Sequence, residues 1–294
     1  MSFIEDNNIQ IGGHISFSKN ISDSIEEAIE YDMKSLQLFL GNPKAFKRHR
    51  LTEDDVIRAQ ELLELYPVNV FTHYPYTSSL VGSVASLAWN GDEEQDKKTT
   101  SILKELEYEV NAISKISEVS GVVIHPGSFK NRAEGLQAIS KSINKIKFEG
   151  NSKLLLENSA GEGSKLPKDF KELATIFEGI DPVCKDNVGC CIDTAHIWGS
   201  GIYDLSKCDE IDKMFHEFDK YIGLHRFSLL HLNDSAVKFG SKKDRHACLC
   251  QGCIWEEDDT SLKYLITKCG ENNIPIILET PDIECDLNLI RNYN

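Results

Sequence analysis

Six apolar runs of this chain close on an imidazole or a carboxylate. VNVFTHY carries His73, GVVIHPG His125, KLLLEN Glu157, VGCCIDT Asp193, FSLLHLN His231 and IPIILET Glu279. Two spacings add donors. Asp193-Thr194-Ala195-His196 sets an imidazole three residues after a carboxylate. Asp244-Arg245-His246 spaces the same pair two apart, so an extended backbone aims both one way. A single histidine at a strand end is as readily a satisfied core residue. Six such groups at six strand ends, three carboxylates and three imidazoles, would if packed together carry severe desolvation and repulsion costs, which a divalent cation removes. Five imidazoles and four carboxylates without a thiolate suit zinc, manganese or iron(II). Nine donors are too many for one tetrahedral ion, so a multinuclear centre is expected.

Convergence of these groups requires strands that run side by side in one direction. IQIGGHIS and SLQLFL join the six runs above to make eight candidate strands, separated by amphipathic stretches. One stretch carries Leu136, Ile139, Ile143 and Ile146 at helical spacing; another begins with a cap signal at Thr52 and runs to Tyr66, with Val56, Leu62, Leu63 and Leu65 as its apolar positions. Strand–helix alternation repeated eight times predicts an α/β protein, a single-domain (β/α)8 TIM barrel over residues 1–294. Its active site is expected at the C-terminal strand ends. An open doubly wound sheet is the alternative, but GGHIS lacks the spacing of a phosphate-binding glycine loop.

With 294 residues, 40% of them hydrophobic, the chain can bury a large core, and its formal net charge of −15 argues against wrapping nucleic acid by bulk charge. No basic stretch precedes an apolar segment at the start, and no run is long enough to span a bilayer, so an intracellular protein with no membrane partner is expected. All nine cysteines fall between Cys184 and Cys285. The odd count predicts free thiols; a separate structural zinc on Cys248, Cys250 and Cys253 would need a fourth ligand.

The motifs VIHPGS, LLLENSAGEGS, CIDTAHIWGSGIYD, LLHLNDS, the Asp-Arg-His triplet and PIILETP, in this order, resemble the endonuclease IV family of apurinic/apyrimidinic endonucleases. The likeness runs from GGHIS to Glu279. It implies three zinc ions per chain and hydrolysis of the phosphodiester 5′ to an abasic site in double-stranded DNA, leaving a 3′-hydroxyl and a 5′-deoxyribose phosphate. By the same resemblance His73 and His125 hold one zinc, Asp193, His231 and Glu279 a second, and His196, Asp244 and His246 a third. Glu157 bridges the first two and orients the attacking water, which makes it the catalytic carboxylate.

A basic run, Lys44-Ala45-Phe46-Lys47-Arg48-His49-Arg50, follows the second strand and borders the same mouth. Beside a phosphodiester site Lys44, Lys47 and Arg48 are expected to touch DNA phosphates, with Arg245 in a second cluster. Where the family carries an aromatic and then a bulky aliphatic residue, Tyr76 keeps the first and Thr77 departs from the second. Lys44 stands near a family arginine. Tyr76 is expected to enter the gap left by the missing base. A monomer is expected. The rival readings are a metal-dependent sugar isomerase or epimerase on a related barrel, which leaves His196, Asp244 and His246 without work, and a non-catalytic DNA-damage-binding protein.

Overall fold

The computed structural model describes residues 3–17, 19–81 and 93–293. Eight parallel strands close into a barrel: β1 Ile11–His14, β2 Ser35–Leu38, β3 Asn69–His73, β4 Ser120–Ile124, β5 Lys153–Glu157, β6 Val188–Asp193, β7 Phe227–His231 and β8 Ile276–Leu278. Every strand pairs with its neighbours in sequence, and β1 closes the ring by placing Ile11 opposite Ile276 and Gly12 opposite both Ile277 and Ser35. The two glycines of β1 make room for a neighbouring strand and for the helix Ile283–Arg291. A Cβ on Gly12 would stand 1.5 Å from the Ser35 carbonyl oxygen, and one on Gly13 would stand 2.5 Å from Cγ2 of Ile283.

Inside the barrel, Phe71, Val123, Leu155, Cys191, Leu229 and Ile277 form one apolar layer. Side chains alternate along a strand, so the residue two positions on returns to the same interior. Two positions on from these six are His73, His125, Glu157, Asp193, His231 and Glu279. The same step takes Gly12 to His14 and Ser35 to Gln37. The apolar layer is therefore roofed at the C-terminal end by eight polar residues, one in or just past each strand. Both faces of the strands are covered, which is why they read as near-continuous apolar runs.

Helices pack around this ring. Glu53–Leu65 starts where the cap signal places it: the Thr52 hydroxyl accepts from Asp55 N at 3.2 Å, and Tyr66 ends the helix. Its buried positions are Asp55 and Ala59, with Val56, Leu62 and Leu63 partly buried. Leu65, expected on the apolar face, is 74% exposed because it falls at the last helical residue, past that stripe. In Arg132–Ile143, Leu136, Ile139 and Ile143 are buried as their spacing predicts, and Ile146 is buried just beyond the helix end. No helix among the described residues is long and apolar enough to cross a membrane.

Candidate metal centre

Glu157 stands at the middle of the polar roof, buried, with its two oxygens facing different imidazoles. Oε2 lies 3.3 Å from His73 Nε2 and 3.2 Å from His125 Nδ1. Oε1 lies 3.3 Å from His231 Nδ1 and 3.4 Å from His196 Nδ1. Backbone carbonyls hold two of these rings: His73 Nδ1 is 2.8 Å from Tyr74 O, which leaves Nε2 for the centre, and His196 Nδ1 is 2.8 Å from Asn158 O.

Asp193 ends β6 and caps the helix Thr194–Ser200, accepting from His196 N through Oδ1 at 2.7 Å. That cap is the physical reason for the Asp-x-x-His spacing, since it turns the imidazole back over its own strand end. Asn233 donates to Asp193 Oδ2 at 2.7 Å. A short antiparallel pair, Asp234–Ser235 with His246–Ala247, folds the loop after β7 back toward the mouth. It brings Asp244 between two rings, with Oδ2 3.1 Å from His196 Nε2 and Oδ1 3.2 Å from His246 Nε2. Glu279 follows β8 and points Oε2 at His231 Nδ1, 3.2 Å away.

Three triplets bring their ligand atoms within 4.8 Å of one another: His73, His125 and Glu157; Glu157, Asp193 and His231; and Asp193, His196 and His246. All nine residues singled out in the sequence thus meet in one cluster. Asp193 adjoins the third triplet as well as the second, while Asp244 supports the third from the outside and Glu279 the second. Glu157 Oε2, His231 Nδ1 and His246 Nε2 are buried without a hydrogen-bond partner. Each of the three triplets contains at least one of these residues, and a buried polar atom left without a partner among such groups is what a divalent cation satisfies, so the donor set fits metal. No cysteine joins such a group among the described residues, and Cys248, Cys250 and Cys253 are free.

Electrostatics follow the same geometry. Burial alone would discharge His73, but the carboxylate of Glu157 beside it, 3.3 Å away, raises it to about 9. Burial likewise opposes the charge on His246, and Asp244, Asp193 and Glu279 overcome it, raising that ring to about 10. His125 goes the other way, down to about 4, because burial outweighs the pull of Glu157. Burial penalises a charged Glu157, yet the surrounding imidazoles hold its carboxyl well below the usual range.

Two members of the roof escaped sequence reasoning. His14 ends β1 with Nδ1 3.2 Å from Glu279 Oε1, and Gln37 reaches the same oxygen with Nε2 at 2.7 Å. The signal was available in the two-residue step from Gly12 and Ser35. Asn158 and Asn233 were missed too; each follows shortly after a strand end and braces Asp193.

At the rim, Lys44, Lys47 and Arg245 are exposed. Tyr76 is 51% exposed, and its ring lies 6.2 Å from that of Phe39, which in turn sits 5.3 Å from the His73 ring. Thr77 donates to Lys44 O at 3.4 Å, tying the loops after β2 and β3 together. Arg48 is a correction. Its side chain is fully buried beside Glu109, 3.7 Å away, and it donates to the carbonyls of Asn42, Ala45 and Phe46. The guanidinium therefore holds the loop from within and offers nothing to a phosphate.

A family profile described as the xylose isomerase-like TIM barrel matches residues 25–288. The protein named Probable endonuclease 4 in Nitrosopumilus maritimus is 32% identical over 279 residues, 93% of this chain and 94% of that one. The crystal structure of endonuclease IV from Thermus thermophilus superposes with a TM-score of 0.77 at 26% identity, covering 96% of this chain and 97% of that one. A D-tagatose 3-epimerase-like protein gives 0.65 at 16% identity over 96% and 95% of the two chains, a likeness of fold alone. The shared profile, the full-length identity and the structural match lead to one assignment: the chain belongs to the endonuclease IV family of xylose isomerase-like TIM barrels.

Proposed function

We propose that this chain is a DNA-repair endonuclease that hydrolyses the phosphodiester 5′ to abasic sites in duplex DNA, leaving a 3′-hydroxyl and a 5′-deoxyribose phosphate. In this reading residues 1–294 act as one barrel domain and as a monomer. The observation that carries it is the placement of Glu157, whose two oxygens face separate imidazole pairs and so suit a carboxylate shared between ions. His73 and His125 would complete one position, Asp193, His231 and Glu279 a second, and His196, Asp244 and His246 a third. Zinc is the ion that best suits this nitrogen and oxygen set, with manganese or iron(II) as partial substitutes. Divalent ions held there supply Lewis acidity toward phosphoryl oxygens and lower the pKa of water.

The chain's own residues do the rest. Burial of Glu157, His231 and Asp193 keeps bulk water from these groups, which strengthens the hold they would have on divalent cations. In this reading Glu157 also orients the attacking water. Lys44, Lys47 and Arg245, exposed at the mouth, attract the DNA backbone in this reading, and the exposed ring of Tyr76 enters the space of a missing base. An epimerase would leave the third imidazole–carboxylate set idle. The test is incubation of zinc-loaded protein with a duplex carrying one tetrahydrofuran abasic analogue, which cannot break by β-elimination. A single nick 5′ to the analogue with a 3′-hydroxyl end is expected. Uncut duplex alongside turnover of a ketose would favour the epimerase.

A further inference from the structure

Gln37 is the one member of the polar roof that is neither a good metal ligand nor a titratable group, and it is completely buried in β2. Its amide is bracketed by two residues of the candidate centre. Nε2 lies 2.7 Å from Glu279 Oε1 and 3.0 Å from His14 Nδ1, while Oε1 lies 2.9 Å from His231 Nε2. The donor inventory leaves one orientation. An ionised carboxylate only accepts, so the amide nitrogen must face Glu279; the amide oxygen, which also only accepts, then faces His231. His231 Nε2 must therefore carry a proton and donate it to Gln37. That leaves Nδ1 toward the centre, where it has no hydrogen-bond partner and lies 3.3 Å from Glu157 Oε1 and 3.2 Å from Glu279 Oε2.

We propose that Gln37 is the positioning residue of the His231–Glu279 pair, a single amide that fixes the His231 tautomer with Nδ1 toward the metal position and turns Glu279 Oε2 to the same place. The proposal rests on the metal-centre reading above. It differs from a generic buried glutamine in that both ends of the amide are spent on ligands of the same ion. The hydrogen bond from Gln37 occupies Glu279 Oε1, so Oε2 is the oxygen left to bind. Outer partners of this kind typically alter metal affinity by about 10–100-fold.

The test compares zinc-loaded wild type with Gln37→Met, which keeps the side-chain length and makes neither hydrogen bond, and Gln37→Glu, which keeps an acceptor for His231 but sets a second carboxylate against Glu279. Zinc affinity is read by competition with a chromophoric chelator, and tautomers by long-range proton–nitrogen correlation of the histidine rings. In wild type, His231 is expected to carry its proton on Nε2. Gln37→Met should weaken one zinc position by about 10–100-fold and leave the others occupied. Gln37→Glu should lose zinc from the same position while keeping the His231 tautomer. Wild-type affinity at every position in Gln37→Met, or a wild-type His231 with its proton on Nδ1, overturns the proposal and leaves the metal centre standing. The wild-type spectrum decides the tautomer even if a variant does not fold. A wild-type chain that takes up no zinc overturns the metal centre and this proposal together.

Discussion

His231 Nδ1 lies 3.3 Å from Glu157 Oε1, and the other oxygen of that carboxylate is turned to His73 and His125. One side chain at the end of β5 therefore touches both halves of the centre. Among the described residues it is the carboxylate that joins the His73–His125 triplet to the Asp193–His231 triplet, whereas Asp193 joins the second to the third and Asp244 and Glu279 each serve one side. That asymmetry makes Glu157 the most sensitive position for chemistry.

Glu157→Gln keeps the size and one carbonyl oxygen but loses the negative charge and a good metal-binding oxygen. Single-turnover cleavage of the tetrahydrofuran duplex should slow by at least about a thousandfold, the scale of losing a principal electrostatic group. Binding of the same duplex should persist, because Lys44, Lys47 and Tyr76 lie at the rim. Near wild-type cleavage would remove the bridging role of Glu157.

Metal removal should be slow. Ions held by several buried side chains escape only after several bonds break, so brief chelation should leave part of the activity and prolonged chelation none. Zinc, not magnesium, should restore it. Immediate and complete inhibition by dilute EDTA, reversed by magnesium alone, would point to a different class of nuclease.

The metal-free chain should lose stability in base. His73 and His246 sit at about 9 and about 10 when folded, above the ordinary 6.5, so the folded state holds protons that the unfolded state has released. Their contribution is complete below pH 6.5 and disappears as pH rises through 9 to 10. Thermal melts of metal-free wild type and His246→Asn across this range measure it as a difference. The gap between the two proteins should shrink toward pH 10, and a constant gap would contradict the assignment. Zinc loading near pH 8 should release protons, measurable in buffers of different ionisation enthalpy.

The strand-end residues were legible because each ends an apolar run of period-two strands, and the run itself marks the interior layer beneath it. His14 and Gln37 were hidden because neither closes its run: Ile15 follows the one and Leu38-Phe39-Leu40 the other, and Gly12 and Ser35 stand in the layer beneath in place of an apolar residue. Gly12 is demanded by closure of the barrel, where a Cβ would meet the Ser35 carbonyl oxygen, a relation among strands that no local pattern carries. Leu65 and Arg48 fail for the opposite reason. Residue type put the leucine inside and the arginine outside, and position on the helix and a distant glutamate reversed both.

Exposed lysines at the mouth should position DNA without reading the lesion. Lys44→Ala combined with Lys47→Ala should weaken binding to intact and abasic duplex alike and make the salt dependence shallower. Titrations at several ionic strengths check it. An unchanged slope would make the run an ordinary solvated loop.

Arg48→Met should behave differently from those lysine changes, because Arg48 faces Glu109 inside the protein at 3.7 Å. Burial already pushes the Glu109 carboxyl up to about 7 against the opposing charge of Arg48. A carboxyl whose folded pKa exceeds its unfolded value of 4.5 destabilises the fold as pH rises between the two, here from 4.5 to 7. Removing the guanidinium moves that upper limit higher, so the extra loss appears only above neutrality. Breaking a buried pair from one side costs about 3–5 kcal/mol, and the same change frees the carbonyls of Asn42, Ala45 and Phe46 from their shared donor. Melting temperatures of wild type and Arg48→Met at pH 5.5 and pH 8 test this, with a larger drop expected at pH 8. Adding Glu109→Gln should erase most of the pH dependence while leaving the loop carbonyls unserved. The salt slope of DNA binding should stay at its wild-type value wherever the variant is folded. A drop of equal size at both pH values would show that Arg48 acts through its loop contacts alone and that Glu109 is not its electrostatic partner.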